Sequence, residues 1–136
     1  MNRVADNDGA KSNMLRRALQ TNGAFSGLSG VILIVASDYV SALIGIEVSL
    51  IPTGILLLVF AIGLFRNARR EMINQMEAWI AVALDVAWVM GTAGLIFAGV
   101  FNSAGNWIVA LVGDIVLLFA VLQLLGLRRL RRRSVA

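Results

Sequence analysis

The 136-residue chain contains no cysteine and no histidine. Their absence excludes disulfides, thiol redox chemistry, Cys/His zinc sites, His-ligated haem and catalysis by Ser-His or Cys-His pairs. Charge is also scarce. Only 15% of residues are Asp, Glu, Lys or Arg, against about 25% in soluble domains. Lysine and arginine are missing altogether from Ala18 to Phe65 and from Glu71 to Leu127.

What fills those tracts is apolar. Hydrophobic residues make up 59% of the chain and the mean hydropathy is +0.83. All 12 basic residues fall into three clusters outside the tracts: Arg3, Lys11, Arg16 and Arg17; Arg66, Arg69 and Arg70; and Arg128, Arg129, Arg131, Arg132 and Arg133. A bilayer explains this sorting, because charge at its centre is expensive and cytoplasmic flanks collect Lys and Arg. The expected fold is all-α, a four-helix transmembrane bundle with both termini inside and short interfacial helical connections. The spans are expected at about 18–36, 50–65, 78–100 and 107–127, within a membrane domain of 15–127. A disordered cytoplasmic N-terminus (1–14) and a basic cytoplasmic tail (128–136) complete the chain. A cleaved signal peptide is the rival reading of the first span, but its apolar stretch begins late and runs longer than a normal signal core.

The net charge of +4 and a pI near 11.1 superficially suggest nucleic acid. The positive charges flank spans, however, so Arg16, Arg17, Arg66, Arg69, Arg70, Arg128, Arg129, Arg131, Arg132 and Arg133 are expected to contact anionic lipid head groups. No cofactor or metal is expected. Association with a second copy or with a membrane-protein partner is.

Several local signals refine the spans. Gly23-xxx-Gly27 and Ser26-xxx-Gly30 let a neighbouring backbone approach closely, which we assign to packing within the monomer. In 37–49, Ser37 or Asp38 is expected to cap a short surface helix with Val40, Leu43 and Ile44 as its apolar side and Gly45 as its stop. Pro52 suits the first turn of the second span. Residues 67–77, with Ala68, Met72, Ile73 and Met76 at helical spacing, predict an inner surface helix. Tyr39, Trp79 and Trp107 stand where interfacial aromatics belong.

Only two charged side chains fall inside the spans, Asp85 and Asp114. An intramembrane carboxylate usually faces the bundle interior and marks either a functional site or an interhelical hydrogen bond. At 1.5 Å per residue, Asp85 lies about 10 Å from the cytoplasmic boundary and Asp114 about 10 Å from the outer one. They are thus offset by roughly 10 Å in a core about 30 Å thick, which argues against a carboxylate pair sharing one proton. Asn22 and Gln123 fall at the depth of Asp85, with Arg17 within snorkelling reach. Asp85, Trp88 and Thr92 share a helical face. Thr92 and Ser29 are the expected partners of Asp114. Interhelical hydrogen bonding is the default role for both carboxyls; proton or cation coupling and ligand recognition are the alternatives.

The stretches from Leu15 to Gly30 (LRRALQTNGAFSGLSG) and from Leu84 to Gly91 (LDVAWVMG) resemble those of a group of uncharacterised bacterial four-span membrane proteins. Their first helix carries Arg and Asn, and their third an Asp-xx-Trp motif. The resemblance spans most of 15–126 and implies a bacterial plasma membrane protein, but no activity is assigned to that group. It points at Asn22, Asp85 and Trp88; Asp114 lies outside its pattern. Small multidrug transporters share the size but need a carboxylate in the first helix, where this chain has none. The favoured reading is a non-enzymatic accessory or structural subunit of a membrane assembly. The alternative is a proton- or cation-coupled small transporter or channel using Asp85 and Asp114. A lipid- or quinone-handling enzyme is disfavoured, since two offset carboxylates offer little catalytic equipment.

Overall fold

The computed structural model describes the backbone of residues 2–134 and the side chains of 13–131. It contains five helices: α1 (Asn2–Val35), α2 (Ser37–Ile44), α3 (Ile51–Arg69), α4 (Gln75–Phe97) and α5 (Ser103–Ser134). There is no strand among the described residues. Four stretches are long and apolar enough to cross a membrane: Asn13–Val35, Ile51–Arg69, Gln75–Phe97 and Ser103–Arg131. The chain is a multi-pass helical membrane protein, and α2 is its one short connecting helix.

Helix α1 organises the bundle. It packs most extensively on α3 and also on α5, while α4 rests on α5 and scarcely meets α3. The α1–α3 contact is set by two glycines. A Cβ on Gly30 would lie 2.7 Å from the Gly54 carbonyl oxygen, and one on Gly54 would lie 2.6 Å from that of Gly30. The backbones therefore touch where no side chain fits, as small-residue spacings permit. Ala61 seats against Gly27, and the Phe65 ring against Gly23. The stripe thus serves packing inside the monomer, as expected. On the other side of α1, Phe25 meets Phe119 of α5 at 5.6 Å between ring centroids.

The tightest apolar core lies toward the end of the bundle that carries the arginines. Leu15 and Leu19 of α1 pack with Leu64, Ala68, Ala78, Val82 and Leu127. Arg16 closes this end. Its guanidinium donates to the carbonyls of Ala68, of Arg70 (2.7 Å) and of Glu71 (3.2 Å), satisfying acceptors left open where α3 ends. Arg129 reaches Met14 from α5. The described arginines of all three basic clusters therefore lie at one end of the bundle.

The connections differ from expectation in instructive ways. Residues 2–14, expected to be disordered, continue α1, since extending an existing helix is far cheaper than starting one. The basic tail likewise prolongs α5 to Ser134. Helix α2 and its stop at Gly45 (φ +82°) stand where expected. Its start does not use Ser37 or Asp38 as a cap; Ala36 holds that position without a side-chain bond. The turn follows α1 so closely that backbone bonds from Ala36 to Ile32 and from Val40 to Ala36 fill the role. Its inward side is Ser37, Ser41 and Ile44, whereas Leu43 is 42% exposed. The hydroxyls on that face satisfy backbone groups, Ser37 Oγ accepting from the Leu50 N–H at 2.8 Å and Ser41 Oγ donating to the Asp38 carbonyl at 3.1 Å, while Gly105 of α5 packs on the Ile44 backbone.

The predicted surface helix over 67–77 does not form as one element: 67–69 end α3, 75–77 open α4, and 70–74 turn between them. Asn67, on the last turn of α3, holds this turn by a reciprocal pair of bonds with the Asn74 backbone, 2.7 and 3.0 Å. Asn74 then caps α4 by accepting from the Glu77 N–H at 3.2 Å. Met72 and Met76 are left 86% and 71% exposed. At the opposite end, Asn102 caps α5 through the Gly105 N–H and also donates to the Leu43 carbonyl, tying α5 to α2.

Candidate functional site

Asp85 lies on the inward stripe of α4, with Ala78, Ala81 and Val82, and is 4% exposed. Asn22 of α1 and Gln123 of α5 are each fully buried beside it. Asn22 Nδ2 donates to Asp85 Oδ2 at 2.8 Å, and Gln123 Nε2 donates to the same oxygen at 2.9 Å. One carboxyl oxygen thus joins three membrane helices. The network extends outward from both amides. Ser26 donates to Asn22 Oδ1 at 3.2 Å, one helical turn along α1, and Gln123 Nε2 also donates to the Phe119 carbonyl at 3.1 Å.

The cluster exists because of helical arithmetic. Asn22 and Ser26 are four residues apart, so their side chains stack on one face of α1. Gln123 shares with Val116, Ala120 and Leu127 the buried stripe of α5. A polar group away from water needs a partner, and these three helices supply one to each other. Two acceptors stay open. Gln123 Oε1 is buried without a hydrogen-bond partner, and Asp85 Oδ1 accepts from no described residue.

The other intramembrane residues singled out from the sequence do not join this cluster. Trp88 is half-buried one turn beyond Asp85, and no described residue accepts from its indole N–H. Its carbonyl instead accepts from the Thr92 hydroxyl, which also reaches the Val89 carbonyl. Thr92 is therefore occupied by its own helix and is not a partner of Asp114. Nor is Ser29: Asp114 is exposed on the outward side of α5 and bonds to no described residue. Gln123 follows Asp114 by nine residues, which is about 2.5 turns. Asp114 consequently points away from Asp85 across α5 and lies about 13 Å along the axis from Gln123. The expected axial offset is present, and an opposite facing adds to it.

Among the arginines expected at lipid head groups, Arg17, Arg66, Arg69, Arg128, Arg129 and Arg131 are exposed at the basic end. Arg16 turns inward to α3, and Arg17 reaches no atom of the Asp85 cluster. Arg70 pairs with Glu77 at 3.4 Å. The side chains of Arg132 and Arg133 lie outside the described residues. Among the described residues no group of His, Cys, Asp and Glu could hold a metal ion. Sequence reasoning passed over Arg16, Asn67 and Ser26 as structural anchors. For Asn67 and Asn74 the available signal was two asparagines bracketing a short charged segment.

Comparison with protein-family models, with curated proteins and with solved structures found no match to this chain.

Proposed function

We propose that this chain is a small non-enzymatic protein of the bacterial plasma membrane that serves as an accessory or structural subunit of a membrane assembly. In this reading both termini and the α3–α4 turn face the cytoplasm, where the arginines meet anionic lipid. The observation that carries it is the separation of the two intramembrane carboxyls. Asp85 is held by donors from its own bundle, as a packing element would be, while Asp114 faces out of the bundle and bonds to no described residue. Two stations of one internal path would share a lumen; these two lie on opposite sides of α5.

Extraction from native membrane in mild detergent tests the proposal. Migration on a native gel in a discrete complex of more than one kind of chain is the expected result. Recovery as a lone species, together with pH-gradient-driven uptake in liposomes, contradicts it.

One observation favours the second reading, a proton- or cation-coupled transporter. The open acceptor Gln123 Oε1, on the amide that bonds Asp85, offers oxygen to a proton or a small cation in a buried place. A flux in reconstituted vesicles that is abolished by Asp85→Asn, in protein that still folds, would establish that reading over the first.

A further inference from the structure

Asp114 occupies the centre of the outward face of α5, where its neighbours above and below are apolar and exposed: Trp107 at 78%, Leu111 at 63%, Leu118 at 56% and Val121 at 44%. A carboxyl there is in the region that acyl chains would occupy. Its side chain has one methylene and cannot carry the charge to a boundary about 10 Å away, as a lysine or arginine could. Intramembrane carboxyls are expected to face a bundle interior, a water-filled cavity or a partner. Within this monomer Asp114 faces none of them.

Charge decides between occupants. A second copy docked through the same face would bring a carboxyl to face a carboxyl, and through any other face it has no base to offer at this depth. All 12 basic residues lie outside the apolar tracts. The first on α5 is Arg128, fourteen residues and about 21 Å along the axis from Asp114. Acyl chains carry no cation either. The complementary surface is therefore a helix of different composition.

We propose that Asp114 is the contact point for a transmembrane helix of a second protein that presents a lysine or arginine at the same depth, with Leu111, Leu118 and Val121 forming the apolar surround. The inference rests on the accessory-subunit reading and names the chemistry of its partner. A charge pair between two helices satisfies both groups, and the surrounding leucines exclude competing water. The pair also sets register, because only a base at one depth meets the carboxyl.

Model helices test this directly. The full chain and a leucine-rich transmembrane peptide carrying one lysine at matching depth are reconstituted in phosphatidylcholine vesicles, with association read by energy transfer. A second peptide has leucine in place of the lysine. The expected result is about tenfold tighter association with the lysine peptide, lost in Asp114→Asn and kept in Glu47→Gln, which removes an exposed carboxylate outside the spans. The exposed Asp114 side chain bonds to no described residue, so the helical content and melting of Asp114→Asn should match the parent. Equal association with both peptides overturns the proposal, as does self-association of the chain that depends on Asp114. Native gels of membrane extracts separate the two levels of failure. If the parent chain runs in a complex that Asp114→Asn leaves intact, the subunit reading stands and the charge contact falls. If the parent chain runs alone, the subunit reading falls as well.

Discussion

Asn22 and Gln123, on helices at opposite ends of the sequence, donate to the same oxygen of Asp85 at 2.8 and 2.9 Å. Removing the acceptor takes one N–H partner from each of two buried amides at once, which costs more than removing either donor. Asp85→Ala should therefore destabilise the bundle by about 2–4 kcal/mol, and Asn22→Ala or Gln123→Ala by about 1–2 kcal/mol. A double-mutant cycle on Asn22 and Asp85, read by unfolding in mixed micelles, should give a coupling of about 0.6–2 kcal/mol. Additive effects would show that the three side chains do not act together.

The crossing of α1 on α3 makes a second, sharper prediction. A methyl group at Gly30 or Gly54 meets a backbone oxygen that cannot rotate away. Gly30→Ala and Gly54→Ala should each cost about 1–3 kcal/mol through overpacking. Gly91→Ala, with open space around the added carbon, should be neutral or slightly stabilising. Equal melting temperatures for all three variants would place the helix contact elsewhere.

Arg16 and Arg17 are adjacent in sequence but have unlike surroundings. Arg16 donates to three carbonyls at the end of α3, while the exposed guanidinium of Arg17 bonds to none of the described residues. Arg16→Ala should lower stability by about 1.5–3 kcal/mol, and Arg17→Ala by less than about 0.5 kcal/mol. Arg16→Lys should rescue only partly, because a single ammonium cannot reproduce the fork of the guanidinium. Thermal unfolding of the three variants in one detergent checks the order.

At the other end of the bundle, Gly45 stops α2 in the left-handed region at φ +82°. A Cβ there would also sit 2.8–2.9 Å from the Asn102 side chain. Gly45→Ala should cost more than the roughly 1 kcal/mol of the backbone term alone. Asn102→Gly loses the α5 cap and the bond to Leu43 on its own account, so the test is a cycle: in that background the added cost of Gly45→Ala should be smaller.

Much of this architecture was legible because a membrane simplifies the problem. Length and charge exclusion marked four spans, and depth arithmetic brought Asn22, Asp85 and Gln123 together before any coordinates. What depth alone leaves open is azimuth. Asp114 shares a depth with Thr92 and Ser29, and only its position half a turn from Gln123 reveals that it faces outward. That rotation is computable from the nine-residue spacing, provided one residue of the helix is already known to be inward. The connections were less legible. The apolar spacing of Ala68, Met72, Ile73 and Met76 is genuine helical periodicity, but the Asn67–Asn74 clamp and the cap on Glu77 fold that segment into a turn. In α2, periodicity marked Ile44, which does face inward against Gly105, but not Ser37 and Ser41, which share that face.

The most direct test of the account is site-specific photocrosslinking in native membrane. A crosslinking amino acid at Leu118, beside Asp114, should yield a discrete adduct with a second protein, and the adduct should vanish in Asp114→Asn. The same probe at the inward-facing Val116 should yield none. An adduct at Leu118 that persists without the carboxyl, or the absence of any protein adduct there, would contradict the claim that this face of α5 meets a partner.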